Sequence, residues 1–245
     1  MERLTAPARM FATTSLAVVA FGVAMGFLEA AVVVYLRAAL EIVPSAVPAH
    51  DPATLGTFET IEVAREVATI VMIAVIGWLA GSRPLERLAW AAVAFGTWDI
   101  VYYAGLRLTI GWPPDLLAWD VLFLIPSPWV GPVWAPIIVS TALVGFGLAA
   151  ARRLRMERPI AVGPIRALVA IGGGILVVAG FLMDAERVLA GDLSTWAGWP
   201  LFAAGMALAV AASVSAFGAI PLARSSRGGS ARSGSGRRPT VGSPE

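Results

Sequence analysis

Cysteine and lysine are both missing from this chain of 245 residues, and histidine occurs once. Without cysteine the protein can form no disulfide, no thiolate metal site and no cysteine nucleophile. Without lysine it can form no Schiff base, so retinal is excluded. The single histidine, His50, can supply neither the two axial ligands of a bis-histidine haem site nor the Glu-x-x-His pairs of di-iron helical bundles. The sequence therefore predicts a protein without haem or retinal.

Charged residues are also scarce, at 14% of the chain, whereas 58% of the residues are hydrophobic and the mean hydropathy is +0.79. Soluble domains contain about a quarter charged residues. We therefore expect an all-α, polytopic membrane helical bundle whose constant partner is the lipid bilayer. All 18 basic residues are arginine. Together with the many alanines and glycines, this composition indicates a bacterial protein from a GC-rich genome.

Apolar runs long enough to cross a hydrocarbon core of roughly 30 Å occur six times. The predicted transmembrane helices cover about residues 14–36, 61–81, 88–106, 129–151, 165–183 and 199–220. Arginine is concentrated at the N-terminus, in alternate loops and after residue 224. By the positive-inside rule, both termini are predicted to be cytoplasmic. Residues 1–223 then form one membrane domain, and the Arg/Ser/Gly-rich tail 224–245 is expected to be disordered, cytoplasmic and without a specific nucleic-acid partner.

Four prolines interrupt the fourth apolar stretch, at positions 126, 128, 132 and 136. Each proline removes a backbone donor and ends or bends a helix. This pattern predicts a short helix over 114–125, before the true span 129–151. The short helix is expected to lie at the outer face or to enter the membrane as a re-entrant segment.

Five carboxylates fall inside these spans or at their edges: Glu29, Glu62, Glu66, Asp99 and Asp120. A charge at mid-bilayer costs about 2.5–3.5 kcal/mol on insertion scales, so such residues usually have a function or a partner. Helical rise places four of them in one layer, roughly 9–12 Å below the outer face, and Glu62 nearer the surface at roughly 5 Å. The residues expected to support them are Arg65, Tyr102, Tyr103, Arg37 and Arg107.

The carboxylates suggest an acidic intramembrane site near the extracytoplasmic face of the bacterial inner membrane. Oxygen ligands favour a hard divalent cation, for which Glu29, Glu66, Asp99 and Asp120 are the candidate metal ligands. The arginines are too few to neutralise every acid, so proton exchange is the alternative. The first predicted function is cation binding or proton exchange, in transport.

Two other functions stay open. In the first, the carboxylates are ion-paired and the protein is a non-catalytic subunit or assembly factor of a membrane complex. Its partners would then meet the Gly- and Ala-rich helices 165–183 and 199–220. In the second, the protein is a membrane enzyme that acts on a lipid or an isoprenoid. The sequence identifies no catalytic residue for such an enzyme.

Overall fold

The computed structural model describes residues 6–39, 52–193 and 195–218, and for 52–59 the backbone only. The predicted tail 224–245 lies outside the described residues. The elements, in chain order, are α1 (Ala6–Ala39), α2 (Pro52–Ala80), α3 (Pro84–Ile110), β1 (Trp119–Phe123), β2 (Trp129–Pro132), α4 (Trp134–Arg155), α5 (Pro164–Leu182), α6 (Ala185–Leu189) and α7 (Trp199–Gly218). The fold is mostly helical, but β1 and β2 make it α-helical with one small sheet rather than all-α.

Five described helical segments are long and apolar enough to cross a membrane. They comprise α1, the part of α2 from Thr60, α4, the segment Pro164–Leu189 and α7. This indicates a multi-pass membrane protein. The remaining long helix, α3, is not among them, and it carries Asp99, Tyr102 and Tyr103 in its second half. The predicted count of six spans therefore depends on α3.

Helix α3 packs against α1, α2 and α4 and holds the largest buried side chains of the bundle, including Trp90 and Leu106. Two glycines allow this packing. A Cβ atom on Gly26 of α1 would collide with the Trp98 carbonyl of α3, and one on Gly96 of α3 would collide with the Ser140 carbonyl of α4. Small residues at such positions let helix backbones approach closely.

Helices α5 and α7 form a separate pair. Gly173 and Gly205 face each other across it. The pair contacts the rest of the bundle mainly through β2 and α4. Phe181 of α5 stacks on Trp196, which precedes α7, with 5.7 Å between the ring centroids. The predicted small-residue faces thus pack against each other within the chain.

The predicted helix 114–125 is wrong: its second half is the first strand of a β-hairpin. β1 and β2 pair antiparallel, with Asp120 opposite Gly131 and Val121 opposite Val130. The physical reason is local. The segment from Trp119 to Phe123 is rich in aromatic and branched aliphatic residues, which suit a strand. The prolines that follow exclude a helix interior and are tolerated in a turn or short strand. The break before α4 was predicted, but α4 begins at Trp134 and not near 129.

The hairpin folds back into the bundle instead of lying across its end. The ring of Phe123 stacks on Phe95 with 6.2 Å between centroids and meets Trp98 edge-on at 6.1 Å. Phe95 lies 15 residues before the end of α3, which corresponds to roughly 22 Å along the helix axis. The turn of the hairpin therefore reaches the middle of α3.

Arg155 joins four helices at the opposite end of the bundle, which we call the arginine end. Its Nε donates to Glu86 of α3 over 2.6 Å, and its Nη2 donates to the Ala80 carbonyl of α2 over 2.7 Å. Its Nη1 donates to Met10 and Thr14 of α1. A buried ion pair of this kind is stable because hydrogen bonds satisfy its remaining donors and acceptors.

The three consecutive glycines of α5 provide a test of the α5–α7 packing. A Cβ atom on Gly173 would lie 2.7 Å from the Gly205 carbonyl oxygen, whereas Gly172 and Gly174 face open space. We expect Gly173→Ala to lower the free energy of unfolding by about 1–3 kcal/mol because the backbones must separate. Gly172→Ala and Gly174→Ala should be neutral or stabilising, by up to about 1 kcal/mol. Thermal unfolding in detergent measures the three variants side by side, and equal effects would contradict the packing.

Candidate functional site

Arg65 of α2 joins two of the five carboxylates. Its Nη1 forms an ion pair with Glu29 of α1. Its Nε and Nη2 donate to Glu62 Oε2 over 3.0 and 2.8 Å. The three side chains are mostly buried, with exposed fractions of 22%, 11% and 14% for Arg65, Glu29 and Glu62. This bridge carries one net negative charge and links α1 to α2.

Glu66, one residue further along α2, binds the backbone of the β-hairpin. Both of its carboxylate oxygens accept the amide N–H of Leu124, at 2.9 and 3.0 Å. Glu66 is 6% exposed. Leu124 follows β1 directly, so its amide has no partner in the strand ladder. An amide that is removed from water without an acceptor costs about 1–3 kcal/mol, and the carboxylate removes that cost.

Asp99 of α3 contacts α4. Its Oδ2 accepts a hydrogen bond of 2.7 Å from the hydroxyl of Ser140. The sequence suggested that Tyr102 and Tyr103 would support Asp99. Tyr103 instead donates across to Asp120 of β1, over 3.0 Å. The spacing of three and four residues placed the phenols on the correct side of α3 but did not identify their acceptor.

Asp120 is the most enclosed of the acids, at 3% exposed. Its Oδ2 accepts the Tyr103 hydroxyl, and no described arginine forms an ion pair with it. Tyr102 packs edge-on against Tyr103, with 5.0 Å between the ring centroids. Asp120 is therefore a buried acid that is held by a neutral donor.

The two arginines expected at the outer helix ends do not pair with the carboxylates of the site. Arg107 donates to the carbonyls of Gly111 and Pro113, at 2.7 and 2.9 Å, and so closes the end of α3. Arg37 is 6% exposed and stacks over the ring of Trp112 at 4.3 Å. Within the described residues, its Nε and Nη1 have no hydrogen-bond acceptor.

The charges of this region do not balance. Five carboxylates face two arginines, Arg65 and Arg37, because Arg107 is bound to carbonyls. Full ionisation would leave three negative charges in a largely buried region. In a low-dielectric environment such charges are costly unless a proton or a cation neutralises them. Glu66, Asp99 and Asp120 are the acids without an arginine partner among the described residues.

The carboxylates do not converge on one point. In the part of the chain that the structure describes, no group of three or more His, Cys, Asp or Glu side chains could hold a metal ion. Glu29 and Glu62 meet through Arg65, while Glu66, Asp99 and Asp120 each bind a different donor. The four predicted metal ligands therefore do not form a metal-binding group there.

Two groups that bind the acids of the site, the Ser140 hydroxyl and the Leu124 amide, were not predicted from the sequence. Ser140 is a polar residue in an apolar helix, and this signal could have identified it as a partner for an acid. The Leu124 amide could not be found in this way, because its need for an acceptor arises only once the segment is recognised as a hairpin.

Comparison with models of known families, with curated proteins and with solved structures finds no match.

The contact between Glu66 and Leu124 generates a direct prediction. Glu66→Ala should lower the free energy of unfolding by about 1–3 kcal/mol, because it leaves a buried amide unsatisfied. Glu66→Gln retains one acceptor oxygen and should lose less. Amide hydrogen exchange should show faster exchange at Leu124 in Glu66→Ala, while the Val130 amide in β2 serves as the internal reference. Unchanged protection of Leu124 would contradict the contact.

Proposed function

We propose that this protein is a six-span membrane protein in which Glu66, Asp99 and Asp120 form a proton-exchange site that serves transport. The observation that carries the proposal is the set of donors around these acids. An amide, a serine hydroxyl and a tyrosine hydroxyl bind them, and no described arginine does. Their burial without a counter-charge favours uptake of protons.

Protons fit this geometry better than a metal ion. A Ca²⁺ or Mn²⁺ ion needs several oxygens around one point, and the described acids point to separate partners. Hydroxyl groups, in contrast, both donate and accept hydrogen bonds. The pairs Asp99–Ser140 and Tyr103–Asp120 can therefore gain or lose a proton and keep a hydrogen bond.

The proposal includes α3 as the sixth span. Its polar residues face α4, β1 and the centre of the bundle, as the contacts of Asp99 and Tyr103 show. The neighbouring helices α1, α2 and α4 cover it, so the helix needs less apolar sequence than one surrounded by lipid. The arginines of the arginine end support a cytoplasmic location for that end, in a bacterial inner membrane. The acidic site then faces the extracytoplasmic side.

A second candidate function has its own observation. The Glu29–Arg65–Glu62 bridge is a satisfied ion pair that fixes α1 against α2, as a non-catalytic subunit or assembly factor of a membrane complex would require. No contact among the described residues favours catalysis on a lipid or an isoprenoid, so that third function remains a prediction from the sequence.

Infrared spectroscopy tests whether the acids hold protons. A carboxylic-acid C=O band should be present at about pH 5 and decrease towards about pH 8. The sign follows from acid chemistry, because a carboxylic acid holds its proton at the lower pH and loses it at the higher pH. Asp120→Asn should remove one component of this band, whereas Glu186→Gln, at an exposed position of α6, should leave the band intact. Absence of any such band in the wild type would refute the proton site.

Proton flux separates the two candidate functions. Vesicles containing the protein, a trapped pH indicator and an imposed potential should acidify faster than empty vesicles. Asp99→Asn and Asp120→Asn should each slow acidification at least about ten-fold, as expected when a proton-transfer group is lost. Glu186→Gln again serves as the control. Wild-type rates equal to those of empty vesicles would favour the structural subunit.

A further inference from the structure

The Arg37 side chain is buried without the partners that a guanidinium normally has. It lies in the last turn of α1, and 94% of its surface is covered. The described ranges 6–39, 52–193 and 195–218 offer no acceptor to its Nε or its Nη1. Arg65 and Arg155, by comparison, bind acceptors through all three nitrogens. Buried donors of this kind require an acceptor.

An aromatic surface holds the Arg37 guanidinium in place. Its Cζ lies 4.3 Å from the centre of the Trp112 ring. Trp112 is buried and packs in turn on Tyr103, with 6.2 Å between ring centroids. Stacking covers one face of the guanidinium, and its buried Nε and Nη1 donors have no acceptor among the described residues. Carboxylate and phosphate groups bind arginine through such N–H donors.

No described acid binds these donors. The Asp120 carboxylate accepts the Tyr103 hydroxyl, and Tyr103 packs on the same Trp112 ring that holds Arg37. Arg37 therefore has buried donors without an acceptor beside the side chains of the acidic site.

We propose that Arg37, held by Trp112, binds an oxyanion, that is, a carboxylate or phosphate group. The inference goes beyond proton exchange and does not depend on it. The oxyanion can belong to a soluble molecule or to a lipid headgroup, because both present the same oxygen atoms to the guanidinium.

Thermal unfolding with added anions tests the soluble source. The protein is purified in a maltoside detergent, which contains no phosphate, and is titrated with sodium phosphate or sodium acetate at constant ionic strength against chloride. The unfolding temperature of the wild type should rise in a saturable manner. Arg37→Gln should bind at least about ten-fold more weakly, and Arg37→Lys should retain part of the response. Because phosphate also stabilises proteins non-specifically, the readout is the difference between variants.

Arg107→Gln is the matched control. Arg107 ends α3 as Arg37 ends α1, but carbonyl groups already bind it, so its replacement should leave the saturable response unchanged. In chloride alone, Arg37→Gln should unfold at or above the wild-type temperature, because it removes a buried charge without a partner.

The lipid source is tested by native mass spectrometry of protein extracted from vesicles that contain phosphatidylglycerol. A bound phospholipid that is lost in Arg37→Gln and kept in Arg107→Gln would assign the oxyanion to the headgroup. A saturable, Arg37-dependent effect of phosphate or acetate would assign it to a soluble molecule. If neither Arg37-dependent effect appears, the proposal is overturned.

Discussion

A backbone amide that is shielded from water must have an acceptor, and this requirement governs the site. The hairpin carries non-helical backbone to the middle of α3, where no third strand among the described residues pairs with it. Glu66 supplies the acceptor for Leu124 with both carboxylate oxygens. Its charge is therefore part of the fold, and any proton that it binds changes how firmly the hairpin is held.

The hairpin and the helix packing together determine the surroundings of the other two acids without arginine partners. Because β1 enters the bundle, Asp120 reaches Tyr103 on α3. The close approach of α3 and α4 at Gly96 brings Ser140 to Asp99. Trp112, which follows α3, stacks on Arg37 at the end of α1 and packs on Tyr103. Tyr103 thus contacts both Asp120 and the tryptophan that holds Arg37.

The sequence predicted the membrane class, most helix positions and the elements that carry the five acids, because long apolar runs and charges within them are strong signals. Which arginine forms an ion pair with which acid was harder to predict. Glu29 and Arg37 are eight residues apart, which is roughly 12 Å along a helix, and Arg65 from another helix binds Glu29 instead. Such contacts depend on helix rotation, which the apolar pattern hardly restricts. The hairpin was missed because four prolines were interpreted as breaks in a helix, although the aromatic and branched run before them favours a strand.

The two proposals are physically linked through Asp120. An ionised Asp120 repels an oxyanion at Arg37, and a protonated Asp120 does not, so each proton bound there favours anion binding. Linkage is reciprocal, and a bound oxyanion must therefore raise the proton affinity of Asp120 by the same factor. One proton on Asp120 and one monovalent oxyanion at Arg37 together leave the net charge of the site unchanged. If both proposals hold, binding of the proton and binding of the oxyanion favour each other, which is the condition for coupling their movement across a membrane.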